Sequence, residues 1–214
     1  MAALWGCSSK EKADDETSAE KVPATSEAKQ PQQQMSMEDL AAKRTPLRDE
    51  QNPIVTIATD LGNMTLELYR DVAPAHADSF LARAGDGFYN GTIFHRVIKG
   101  FMIQGGDPQG TGMGGAGYTL KEEFSNLPHE EGTLSMARSR DVNSASSQFF
   151  ICLARRPGLD GQYTVFGHLI KGYDVLHKIG NVEVVRSPAG EMAKPKNDVH
   201  VREAYLSNAE GDRI

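Results

Sequence analysis

From Pro53 onward Val, Ile, Leu and Phe alternate with polar residues in short runs, and glycines cut one run from the next. This pattern constrains the fold more than any other feature, because alternation of period two belongs to strands that bury one face. Met64, Leu66 and Leu68 set against Thr65, Glu67 and Tyr69 predict a half-buried strand. Ile54 to Thr59 predicts its hairpin partner, joined through the turn Asp60-Leu61-Gly62-Asn63. Further strands are expected over Phe94 to Ile98, Phe101 to Gly105, Thr133 to Arg138, Gln148 to Leu153, Tyr163 to Ile170 and Val199 to Leu206. Two segments read as helices. Pro74 opens the first, where its missing N–H costs nothing, and Gly85 and Gly87 end it. Val175, Leu176 and Ile179 mark a shorter one that stops at Gly180. No βαβ alternation is visible, so the expected class is mainly β, a closed or nearly closed antiparallel barrel that removes sheet edges.

The first 52 residues differ. They hold no Ile or Phe and one Val, and include the run Gln30-Pro31-Gln32-Gln33-Gln34. A segment of this composition buries too little apolar surface to offset its ordering entropy. The expectation is a disordered polar leader or tether over 1–52, with a short helix near Ser36 to Arg44, followed by one domain over 53–214. The formal charge of −6 is shared evenly: 7 basic and 10 acidic residues in 1–52, 16 and 19 in 53–214. With no basic block in either part, a nucleic-acid partner is not expected. No stretch approaches the ~20 apolar residues of a membrane span. Of two cysteines, Cys152 lies in an apolar strand and reads as core, while Cys7 lies in the leader. Leu4-Trp5-Gly6-Cys7 resembles a bacterial lipobox, although no basic or apolar stretch precedes it as written. Export to the periplasm with a lipid on Cys7 is the expectation, which would be the only membrane attachment; a cytoplasmic protein is the alternative.

The chemistry lies in Phe94-His95-Arg96-Val97-Ile98-Lys99-Gly100-Phe101-Met102-Ile103-Gln104-Gly105-Gly106-Asp107 and in Ser147-Gln148-Phe149-Phe150-Ile151-Cys152. Arg96 stands at period two with Phe94 and Ile98, which predicts an arginine on an otherwise apolar strand face. Gln104 is placed to orient it. Phe149 and Phe150 point to opposite faces, so at most one of them lines a pocket.

Both runs resemble the signature of the cyclophilin family of peptidyl-prolyl cis/trans isomerases, and the resemblance spans about Pro53 to Leu206. It implies a closed antiparallel barrel capped by two helices, and an enzyme that twists Xaa-Pro bonds. It implies Arg96, Phe101 and Gln104 as the catalytic group. Met102, Gly110, Ala137, Arg138, Gln148, Phe150, Leu159 and Tyr163 are the implied substrate contacts. Phe101, Met102, Phe150 and Leu159 would wall the proline pocket, while Ala137, Arg138 and Gln148 would meet the backbone ahead of the proline. Many members carry Trp where Gly158 stands, His where Tyr163 stands and Asn where Arg138 stands; the missing Trp argues for weak binding of cyclosporin. The implied partners are proline-containing peptides and unfolded or folding proteins, met by a monomer. The rival reading is the same barrel as a proline-peptide-binding module without catalysis.

Other candidates fall away. Gly110-Thr111-Gly112-Met113-Gly114-Gly115 matches a dinucleotide fingerprint formally, but no strand and helix flank it. His129-Glu130-Glu131 lacks a second His at metal-site spacing. No cofactor and no metal are expected.

Overall fold

The computed structural model describes residues 35–188 and 190–214. Cys7 and the expected lipid on it lie outside the described residues. Among the described residues, three α-helices, α1 (Met37–Ala42), α2 (Pro74–Gly85) and α3 (Tyr173–Gly180), accompany ten strands. These are β1 (Ile54–Thr59), β2 (Gly62–Leu68), β3 (Arg96–Ile98), β4 (Met102–Gly105), β5 (Thr133–Met136), β6 (Phe149–Cys152), β7 (Val165–Lys171), β8 (Val184–Arg186), β9 (Met192–Pro195) and β10 (Val201–Ser207). Eight strands form one antiparallel sheet in the order β10-β1-β2-β7-β5-β6-β4-β3, and β8 and β9 form a separate hairpin.

The sheet curls into a half-barrel with β3 and β10 at its edges. Between the two edges, β3 and β10, the chain makes one isolated bridge, Ile93 to His200, with backbone bonds from Phe94 N to Val199 O and from Val201 N to Thr92 O. Regular strand geometry starts only at Arg96, two residues later than expected. The delay also separates Phe94 from Arg96. Phe94 and Val97 both join the interior cluster, three residues apart, so Phe94 does not share the Arg96 face.

That interior is filled by the inward side chains of every strand of the sheet. Phe80 of α2 sits at its aromatic centre, with ring centroids 5.0 Å from Tyr89, 5.2 Å from Phe149 and 5.4 Å from Phe166. The Phe149 ring meets Phe80 edge-on, the arrangement the ring quadrupoles favour. On α3, Leu176 and Ile179 are fully buried, and Gly180 lies against Leu153 at a distance no Cβ would fit.

The boundary expected at residues 52 and 53 falls inside the folded unit, which runs from Met35 to Ile214. Ser36 caps α1 with a reciprocal capping box to Asp39, and Leu40 is buried. Lys43 pairs with Glu131 at 2.6 Å, and Thr45 bonds the Tyr173 hydroxyl at 2.5 Å. The decisive contact is Glu67, whose outward-facing carboxylate on β2 is 1% exposed. It accepts hydrogen bonds from Arg48 N, Asp49 N and Asn52 Nδ2. Composition does not reveal this clasp, because backbone N–H groups supply most of it. It also covers the side of β2 that simple alternation would leave wet.

Two predictions follow from this packing. Removing residues 35–52 strips Glu67 of three charge-assisted hydrogen bonds and removes the buried Leu40 contact, a loss of about 3 kcal/mol. A chain beginning at Pro53 therefore melts roughly 6–12 °C below one beginning at Met35; equal melting temperatures by calorimetry would show that the clasp contributes nothing. The second concerns pH. Burial pushes His168 from its ordinary 6.5 down to about 4, and burial lowers His76, His95 and His129 as well. The unfolded chain then takes up protons at higher pH than the folded one. Stability is complete above about pH 6.5 and falls as the pH drops towards 4. His168→Gln flattens that slope; an unchanged slope would remove His168 from the account.

Candidate active site

Register sets the site. Arg96 on β3 lies directly opposite Gln104 on β4, and Gln104 lies opposite Phe150 on β6. One rung of the sheet thus carries the arginine, the amide and the aromatic ring on a single face. Two residues along, Ile98, Met102 and Cys152 form the next rung on that same face. The alternate residues Val97, Ile103 and Ile151 point the other way, into the interior. The site therefore lies on the outer face of the curled sheet, on the back of the strands whose inner faces build the core. Phe149 falls in the interior cluster and Phe150 in the outer one.

On this outer face Met102, Phe150 and Cys152 are buried beneath Ile98, Phe101, Ala137, Leu159 and Tyr163. A pocket of about 190 Å³ opens among them, lined by Arg96, Phe101, Met102, Gln104, Ala137, Arg138, Phe150, Leu159 and Tyr163. The structure thus brings together every one of those nine residues that the sequence singled out. The adjoining hollow, of about 240 Å³, shares Gln104, Ala137 and Arg138 with the pocket and extends past Gln148. Gly110 is not in either lining. It has φ +65°, and its missing Cβ would point at Ile93. The backbone of Gly112 and Gly114 borders the hollow instead. The glycine-rich segment is a loop, held by the Asp107 carboxylate through the N–H groups of Gln109, Thr111 and Gly112.

A chain of polar side chains fixes the arginine. Nη1 of Arg96 donates to Gln104 Oε1 at 3.2 Å. A guanidinium only donates, so Gln104 must turn its oxygen towards Arg96. Its NH₂ is left to donate to Gln148 Oε1 at 3.0 Å. Gln148 Nε2 then donates to Gly112 O at 3.0 Å and Gly114 O at 2.8 Å. Each amide has one orientation, set by its neighbour. On the far side of the guanidinium, Nε and Nη2 meet the Glu191 carboxylate at 2.7 and 3.0 Å.

Sequence reasoning missed three supports. His129, set aside there as a metal ligand, is fully buried behind the pocket, its ring stacked on Phe150 at 6.0 Å. Its Nδ1 lies 3.1 Å from Asp160 and its Nε2 3.0 Å from the Ser135 hydroxyl. Asp160, just after Leu159, is held down to about 2, first by the Arg155 guanidinium and then by the His129 N–H. Together they anchor the segment that carries Leu159 and Tyr163. No motif marks these residues, because their partners are distant in sequence. The third is Glu191, in a hairpin whose alternation is too polar to read. Cys152 is inert here, since burial pushes its thiol up to about 12. Gly158 has nothing within 4 Å of its missing Cβ, so the position faces open space. Arg138 lies over the Tyr163 ring at 4.6 Å and donates to Gln162 O. Arg156 lies over Phe101 at 5.1 Å.

Such a site offers a fixed cation beside an apolar pocket, with amides and backbone groups to grip a peptide. It holds no activated nucleophile, and no cluster of metal-ligating side chains occurs among the described residues.

Residues 54–206 match the family described as cyclophilin type peptidyl-prolyl cis-trans isomerase/CLD. The chain is 50% identical over 127 residues to peptidyl-prolyl cis-trans isomerase CYP18-1 of Arabidopsis thaliana, covering 57% of this chain and 79% of that one. It is 46% identical over 137 residues to a peptidyl-prolyl cis-trans isomerase of Helicobacter pylori, covering 62% and 83%. A crystal structure of a Cryptosporidium parvum cyclophilin superposes with a TM-score of 0.69 at 35% identity, covering 73% of this chain and 98% of that one. A second crystal structure of that protein, in the presence of the dipeptide Ala-Pro, gives 0.68 at 37% identity, covering 72% and 99%. With an arginine, an amide and an aromatic ring on one rung of a curled antiparallel sheet, and with relatives of this kind, the chain belongs to the cyclophilin-type peptidyl-prolyl cis-trans isomerases, and its activity is isomerisation of Xaa-Pro bonds.

Proposed function

We propose that the outer groove binds proline-containing segments of peptides and of folding proteins, with the proline ring between Phe101, Met102, Phe150 and Tyr163, and that Arg96 lowers the barrier to rotation.

 Leu159 completes that wall from the 3-10 turn Pro157–Leu159. The observation that carries the reading is the shared rung: Arg96 and Phe150 flank Gln104 on one face, so the cation stands at the rim of the apolar pocket.

The chemistry asks for little else. Resonance in the C–N bond sets a barrier of ~18–20 kcal/mol to rotation, and uncatalysed exchange takes ~10–100 s. As the bond twists, resonance is lost, and the prolyl nitrogen turns pyramidal and gains a lone pair. A guanidinium N–H can donate to that lone pair only in the twisted state. The interaction therefore lowers the barrier instead of merely tightening binding. In a pocket lined by Phe101, Met102, Phe150 and Leu159, little water competes for the donor. Gln104 and Gln148 keep the guanidinium and the neighbouring loop in place during the turn. Ala137, Arg138 and the hollow beyond them take the peptide backbone next to the proline. No atom is transferred, so no cofactor is called for. The bonds between residues 91–94 and 199–201 are proposed to hold the open side of the sheet as a closed barrel would, which keeps the rung rigid.

NMR exchange spectroscopy on an Ala-Pro peptide tests this directly. The purified chain is expected to accelerate cis/trans exchange. Phe101→Ala, which removes one apolar wall, is expected to lower kcat/KM by roughly 10- to 100-fold, the equivalent of ~1.4–2.7 kcal/mol of lost contact. No acceleration by the folded chain, or a full rate in folded Phe101→Ala, would overturn the reading.

A further inference from the structure

The β8–β9 hairpin lies outside the main sheet, and its side chains are largely exposed, Met192 at 53% among them. It adds little to the core, yet it carries one residue to the catalytic arginine. Glu191 stands immediately before β9 and meets Arg96 through both carboxylate oxygens, Oε2 to Nε at 2.7 Å and Oε1 to Nη2 at 3.0 Å. We propose that Glu191 is a positioning residue that clamps the Arg96 guanidinium in the orientation the isomerisation requires. The inference rests on the reading of Arg96 as the donor to the twisted bond.

A guanidinium has five N–H donors in a rigid planar fork. One bond to Gln104, at 3.2 Å, fixes a single nitrogen and leaves the plane free to swing about it. The Arg96 side chain is 35% exposed, so packing alone does not hold it. Gripping the Nε and Nη2 edge supplies the second and third points that define the plane. One hydrogen on Nη1 and one on Nη2 then stay free for the substrate. The positive charge remains on the arginine, and the carboxylate stays on the edge held by Nε and Nη2, apart from the Nη1 that meets Gln104.

The hairpin is built to present this carboxylate. Ser187 N and Ala193 N both donate to the Glu191 carbonyl, at 2.7 and 3.0 Å. Arg186 Nη1 donates to Gly190 O at 2.6 Å, across the turn. Pairing of β8 with β9 shifts register between Val185 and Arg186, beside Glu191. Irregularities of this kind re-aim a side chain. The Arg96 hydrogen bond holds the Glu191 carboxyl below its ordinary range, so the clamp is charged at neutral pH.

An exposed ion pair adds little to stability. Its effect is therefore expected in the rate and not in the melting temperature. In the full chain, Glu191→Gln and Glu191→Ala are expected to lower kcat about three- to tenfold, with KM within about twofold of the unmodified value, because a misplaced group costs rate before it costs binding. The Arg96 Nε–H resonance is expected to be sharp and slowly exchanging in the unmodified protein and broadened in both variants. Raising salt lowers the kcat of the unmodified protein and leaves that of the variants flat, since only the former has a pair to screen. Glu203→Gln, which breaks the remote pair with Arg213, serves as the control and leaves kcat unchanged. A kcat in Glu191→Gln equal to or above that of the unmodified chain, or a parallel loss in the control, overturns the assignment. If Arg96→Ala itself retains the rate, the reading of the arginine fails. If Arg96→Ala abolishes the rate and Glu191→Gln does not change it, only the role of Glu191 fails.

Discussion

The pairing of Arg96 with Gln104, and of Gln104 with Phe150, is the constraint on which the site depends. A strand shifted by one residue turns every side chain to the opposite face. A slip of β3 against β4 would send Arg96 towards the interior and Val97 into the groove. The tight turn between the strands prevents it: Gly100 takes φ +66°, and Phe101 N bonds Ile98 O at 2.9 Å. The interior prevents it too, since Val97, Ile103 and Ile151 are all at most 1% exposed and hold the same register from below. The apolar core and the polar groove are thus two faces of one set of strands. Burying the first positions the second.

A layer of side chains outside the sheet completes the pocket. Tyr163 meets Phe150 edge-on at 5.7 Å, and His129 lies parallel to Phe150 from behind. His129 stays neutral, because burial lowers its affinity for a proton. Neutral imidazole is the form that can be buried against an aromatic ring without a charge penalty. Asp160 carries the charge instead, at the protein surface and paired with Arg155. This division keeps the floor of the pocket apolar while its supporting segment remains anchored by hydrogen bonds.

Much of this was legible in the chain. The alternation of Met64, Leu66 and Leu68 gave β2, and the neighbours Phe149 and Phe150 gave an inner and an outer ring, because period two is a local property that survives tertiary packing. Arg96, Gln104 and Phe101 were found by their spacing and by the family they resemble. What escaped depended on distant partners. Residues 35–52 looked unable to fold because their contribution is backbone N–H groups offered to Glu67, which composition does not weigh. The hairpin of β8 and β9 escaped because its side chains are mostly exposed and do not alternate in polarity. Phe94 was assigned to the Arg96 face by counting in twos across a segment where the strand has not yet begun.

The central claim is that Arg96 acts on the twisted bond and not on the resting peptide. It is tested most directly by comparing Arg96→Ala with the unmodified chain in two quantities measured on the same Ala-Pro peptide: Kd from an NMR titration, and the exchange rate at saturation. Loss of a donor that engages only the transition state is expected to lower the saturated rate by about 100-fold or more, while Kd stays within about threefold. A saturated rate that is unchanged, or a Kd that weakens in step with the loss of kcat/KM, would contradict the account.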